Sequence, residues 1–104
     1  MLELRPNCEW CNCDLPPHSK EARICSYECT FCATCVEEIL HNVCPTCGGG
    51  LTERPIRPVS AEGGQKNLGL QNRPAGTKRY HSGWTIEQLQ EVSRRLRYIP
   101  PAER

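Results

Sequence analysis

The chain has 104 residues, enough for one small domain or a domain with a tail. Hydrophobic residues make up 38% of it, nine of them cysteine, so a self-sufficient core is hard to close without staples. No run approaches the ~20 apolar residues of a membrane span. The opening Met1-Leu2-Glu3-Leu4-Arg5-Pro6 lacks the apolar stretch and small-residue cleavage site of an export signal, which points to the reducing cytoplasm.

All nine cysteines lie between Cys8 and Cys47. An odd number leaves one thiol over in any closed disulfide set, and disulfides do not persist in a reducing compartment. The clustering therefore reads as metal binding. Charge divides along the chain as well. Residues 1–54 carry four Lys+Arg against eight Asp+Glu, a net of −4, and residues 55–104 carry nine against four, a net of +5. Two four-thiolate sites would make the first half more acidic still, so phosphate contact would have to come from the tail.

In chain order, residues 1–58 form the cysteine-rich module. Leu15-Pro16-Pro17 reads as a turn. A helix is expected from Ala33 to about His41, with Val36, Ile39 and Leu40 on one face. His41 suits the end of that helix, where a cationic side chain meets the dipole. Residues 48–50 are glycines, and Arg54-Pro55-Ile56-Arg57-Pro58 cannot continue a helix. Residues 59–83 are rich in Gly, Pro, Asn and Gln and read as a flexible linker.

A second helix is expected over residues 84–99. Thr85-Ile86-Glu87-Gln88 is a capping box, with Trp84 and Leu89 placed as a hydrophobic staple. Ile86, Leu89, Val92 and Leu96 make one apolar stripe, and Pro100-Pro101 ends the helix. About twelve residues of helix are marginal alone in water, so the stripe should dock on the metal module, a second copy or a partner.

The cysteine spacing is Cys8-x2-Cys11, Cys25-x3-Cys29, Cys32-x2-Cys35 and Cys44-x2-Cys47. These four pairs suffice for two tetrahedral sites. Short loops return the second sulfur to the metal while backbone amides point at the thiolates. Soft thiolates in closed sets select zinc over magnesium, calcium or manganese, with an iron–sulfur or mononuclear iron site as the competing reading. Cys13 is spare. It can replace Cys11 in the first pair, stand free beside the site, or serve as a reactive thiol. The same eight ligands fit sequential or interleaved sites.

Cys29-Thr30-Phe31-Cys32-Ala33-Thr34-Cys35 followed by Cys44-Pro45-Thr46-Cys47 resembles a RING-type zinc domain. Cys29 stands where that family usually carries histidine. The resemblance implies a small metal-stabilised α+β fold, RING-like or treble-clef. It places Cys8, Cys11, Cys32 and Cys35 on one zinc and Cys25, Cys29, Cys44 and Cys47 on the other. It also implies a partner surface at Trp10 and Pro45, although the basic residue such ligases often carry after the last ligand is Gly48 here. For Trp10 the simpler reading is packing over Val36, Ile39 and Leu40.

A further resemblance covers residues 1 to about 58. Met1-Leu2-Glu3-Leu4-Arg5-Pro6-Asn7-Cys8, Ala22-Arg23-Ile24-Cys25 and Cys44-Pro45-Thr46-Cys47-Gly48-Gly49 are similar to a bacterial family of short cysteine-rich proteins, a domain of unknown function.

Eight ligands in two closed sites leave no open metal position, so no catalytic residue is expected. The zinc-deaminase signature is also absent, since Cys-Pro-x-Cys replaces Pro-Cys-x-x-Cys. The expected function is a non-enzymatic protein holding two Zn2+ ions as a protein-interaction module. Trp10, Phe31 and the tail stripe are its contact candidates. The alternatives are a RING-type ubiquitin-ligase-like domain and a nucleic-acid binder using Lys78, Arg79, Tyr80, Arg94, Arg95 and Arg97.

Overall fold

The computed structural model describes residues 1–60 and 67–104. Three short strands form an antiparallel sheet in the order β2-β1-β3. They are β1 (Ala22–Ile24), β2 (Thr30–Cys32) and β3 (Thr52–Glu53). Arg23 of β1 faces Phe31 of β2 on one side and Glu53 of β3 on the other. At this length a strand supplies few ladder bonds, so the sheet depends on what its faces bury. All three residues of β2 are buried, and Phe31 is fully enclosed.

Cys32 ends β2 and caps helix α1 (Ala33–Cys35). That turn runs on as a wider π turn, Val36–Leu40. His41 then stops the helix in the left-handed conformation, with φ 49°. The expected helix and its expected last residue are therefore both present, with its second half wound more loosely. Val36 and Leu40 face inward and join Leu15, Phe31, Leu51, Leu89 and six cysteines in one core, with Trp10, Ile39 and Trp84 packed against it. Sulfur thus supplies a large part of what a thin aliphatic core lacks.

Helix α2 (Ile86–Leu96) begins at Thr85 with both bonds of the capping box in place. The Gln88 amide donates to Thr85 Oγ1 at 3.2 Å and the Thr85 amide donates to Gln88 Oε1 at 2.8 Å. Its apolar stripe docks on the π turn. Leu89 is buried in the core, and buried Ser93 donates its hydroxyl to the Leu40 carbonyl at 2.9 Å. A Cβ on Gly48 would come within 3.2 Å of Leu96 Cδ1, so the helix also lies close to the last cysteine turn. Arg104 closes this end by donating to the carbonyls of Asn42 and Gly48.

Residues 61–66 of the expected linker lie outside the described residues. Its later part, residues 76–83, carries no helix or strand yet makes specific bonds. Gly76 donates to the Leu4 carbonyl, Tyr80 and Asn7 exchange two hydrogen bonds, and Ser82 donates to the Glu9 carbonyl. Polar side chains and backbone groups, rather than apolar pattern, fix this strap along the first cysteine loop.

Arg54, just after β3, is 1% exposed. Its guanidinium donates to the carbonyls of Arg5, Leu15 and Pro16 at 2.8, 3.1 and 3.1 Å, tying the sheet to the amino-terminal loop. Among the described residues, no helix is long and apolar enough to cross a membrane.

Candidate metal centre

Three of the cysteine pairs sit on tight turns, and the other, Cys32 and Cys35, spans the end of β2 and helix α1. In the first, the Cys8 amide donates to the Cys13 carbonyl, the Leu15 amide donates to the Pro6 carbonyl, and Asn12 adopts φ 65°. Asn tolerates that conformation better than most residues. The turn places the sulfurs of Cys8, Cys11 and Cys13 together. The second pair is closed by Cys25 and Cys29 bonding across the end of β1 and β2, with Glu28 at φ 71°. The last pair is closed by the Gly48 amide donating to the Cys44 carbonyl, with Gly48 at φ 78°. Backbone amides point at sulfur, among them Tyr27 at Cys25, Cys35 at Cys32 and Gly49 at Cys47, at 3.3, 3.5 and 3.4 Å. Such bonds offset thiolate charge at a metal knuckle.

The fold gathers the nine thiols, all free, into two clusters. The sulfurs of Cys8, Cys11, Cys13 and Cys32 lie within 4.8 Å of one another, as do those of Cys25, Cys44 and Cys47. These two groups could hold metal ions. Cys35 joins the first cluster, its sulfur 3.8 Å from that of Cys8, and Cys11 and Cys32 are 3.7 Å apart. A metal–thiolate bond of about 2.3 Å gives a tetrahedron with sulfurs about 3.8 Å apart, and these two separations match that edge length. Cys29 is buried in side-chain contact with Cys44 and Cys25 in the second cluster. Sulfurs of the first and third pairs thus meet, and those of the second and fourth.

Proton affinities in both clusters show what a cation would relieve. The Cys35 thiol beside it holds Cys8 down to about 4, while Cys8 pushes Cys35 up. Contact with Cys44 likewise holds Cys29 at about 6 and raises Cys44. Burial raises Cys25 and Cys32, and burial of its sulfur followed by contact with Cys11 raises Cys13 to about 12. Packed thiols cannot all ionise together, because adjacent thiolates repel. A divalent ion at the centre removes that obstacle and leaves every sulfur charged.

One carboxylate links the clusters. Glu9 is 6% exposed and accepts from the Thr30 amide, between Cys29 and Cys32. Arg5 donates to the same Glu9 oxygen at 2.9 Å. Over the first turn lies the strap. Arg79 donates to the Asn12 carbonyl, Asn12 Oδ1 and Asp14 Oδ1. Sequence reasoning gave no role to Glu9 or Asn12, because neither carries a local signal and each acts through a distant partner.

The other candidate residues divide. Trp10 is half-buried against the core, its ring 6.4 Å from that of His81. Phe31 and Pro45 are buried, which corrects their reading as contact residues. Phe31 is drawn inward by its place in the buried strand β2, and Pro45 lies inside the last turn. His18, His41 and His81 are exposed. Of the basic residues in the tail, Arg79 is spent on the first turn, Lys78 lies 5.0 Å from the Tyr80 ring centre, and Arg94 pairs with Glu91 at 2.6 Å.

Residues 1–57 match a family described as protein of unknown function (DUF1272). An uncharacterized protein of Rhizobium meliloti (strain 1021) is 53% identical over 79 residues, covering 76% of this chain and 84% of that relative. No solved structure matches the chain. The match spans more than half the sequence and contains every cysteine, and the chain belongs to the DUF1272 family.

Proposed function

We propose that this protein is a non-enzymatic module built on two zinc ions, each held by four cysteines. Cys8, Cys11, Cys32 and Cys35 hold one, and Cys25, Cys29, Cys44 and Cys47 hold the other. The observation that carries this reading is the pair of sulfur–sulfur separations, 3.8 and 3.7 Å, in a cluster drawn from two distant turns. Thiolate donors and tetrahedral spacing suit zinc. Alternation of the pairs supports a RING-like, interleaved arrangement.

With four sulfurs on each ion, no position is open for substrate, and the metal's work is to hold the fold. Each structural zinc contributes on the order of 10–16 kcal/mol of apparent binding energy at neutral pH. The ordered product is a scaffold for a protein partner, with half-exposed Trp10 its aromatic contact. The test is the mass of the full chain under native conditions beside its denatured mass. Two zinc ions per chain support the proposal. One ion, or none, refutes it.

A further inference from the structure

We infer that the first cluster is a two-position metal site, whose ion keeps Cys8, Cys11 and Cys32 and exchanges its fourth ligand between Cys35 and Cys13. The inference rests on the metal-binding reading above and extends it to how the ion enters and leaves. The second cluster brings four cysteines for four ligand positions. The first brings five.

Cys8, Cys11, Cys13 and Cys32 form one tetrad, with every sulfur within 4.8 Å of the others. The Cys35 sulfur lies 3.8 Å from that of Cys8 and is in side-chain contact with Cys32, so with Cys11 it would complete a second set of four. The two share three sulfurs and differ in depth. Cys35 is 4% exposed at the foot of α1, whereas Cys13 belongs to the exposed part of the first turn. The Cys13 backbone is fixed by the bond its carbonyl accepts from Cys8 at 2.9 Å, so this sulfur is held beside the others.

Zinc imposes no d-electron geometry and can expand to five ligands. The fifth thiol can therefore bind before the fourth leaves. Binding by Cys13 would release its proton to water, release of Cys35 would take one up, and no electron would be transferred. A bound ion would then be held by a set in which Cys11 and Cys13 are exposed, where a small thiol or carboxylate chelator could reach it. In the second cluster Cys25, Cys29 and Cys44 are buried and no spare sulfur adjoins them among the described residues.

The test uses the full chain, zinc alone and native mass, followed by challenge with a soluble chelator. Cys13→Ser and Cys35→Ser should each keep two ions, and the double variant one. In the unsubstituted chain one ion should leave well before the other. Cys13→Ser should slow that first loss about tenfold, the lower end of the range for altering groups around a metal, and Cys35→Ser should hasten it. Loss of an ion in Cys35→Ser with the other ion retained overturns the proposal, as does an unchanged rate in Cys13→Ser. If Cys35→Ser loses both ions through misfolding, the rate in Cys13→Ser decides. An unsubstituted chain that takes up fewer than two ions refutes the underlying metal reading, and shows it before any variant is made.

Discussion

Leu89→Ala isolates the contribution of the docked helix. Leu89 is 1% exposed and lies in the same core as Leu40 and Phe31. Truncating a buried leucine costs the lost transfer energy plus a cavity term, about 3 kcal/mol in a site that relaxes only in part. An isolated helix of this length is marginal in water, even with its capping box, so α2 depends on docking for its population. The loss should therefore appear as local opening of α2, not as global unfolding, because the metal clusters lie on other elements. About 3 kcal/mol raises the opening constant roughly a hundredfold. Amide hydrogen exchange should show that loss of protection across the later residues of α2, with β1 and β2 unchanged and metal content unaltered. Equal loss of protection in the strands would refute the reasoning, since helix and metal module would then open as one unit. Unchanged protection in α2 would refute it from the other side.

Three further outcomes are expected. Chelation should unfold residues 8–47, since the metal term exceeds what the thin core supplies. Retained dispersion of their amide signals after metal removal would contradict this. Arg54→Ala removes the donor to the buried Leu15 carbonyl and to the half-buried bonds at Arg5 and Pro16, and should destabilise the metal-loaded protein by about 2 kcal/mol, measured by denaturant titration. A change within a few tenths would show that water replaces the guanidinium freely. Tyr80 donates to Glu3 Oε2 at 2.6 Å, and this bond, then Arg5, holds the Glu3 carboxyl below its usual range. A lowered carboxylate stabilises the fold above the ordinary pKa, and that contribution fades as pH falls through the lowered one. Tyr80→Phe should raise the Glu3 midpoint in an NMR titration, and an unmoved midpoint would remove the strap from that role.

Much of the site was legible because its signals are local. Four cysteine pairs at short spacing name the sulfurs that the fold gathers, and Thr85 with Gln88 names the start of α2 whatever the tertiary context. His41 was readable as a helix end for the same reason. The strands were not legible, since three residues carry too little alternation to register, and their pairing is set by Cys25 and Cys29 closing the turn. Phe31 and Pro45 were misplaced because a motif gives spacing and not burial. Residues 76–83 look like linker by composition, yet Arg79 and Tyr80 find partners about seventy positions away at Asn12 and Asn7, a relation no sequence window contains. Cys13 was open in the sequence, and the fold places its sulfur within the first cluster.

Two ions held by interleaved pairs require two specific ligand sets. Cadmium substituted for zinc, with NMR correlations from each metal to cysteine β-protons, reads the ligand sets directly. One ion should correlate with Cys8, Cys11 and Cys32 together with Cys35 or Cys13. The other should correlate with Cys25, Cys29, Cys44 and Cys47. An ion that correlates with Cys8, Cys11, Cys25 and Cys29 together would contradict the account.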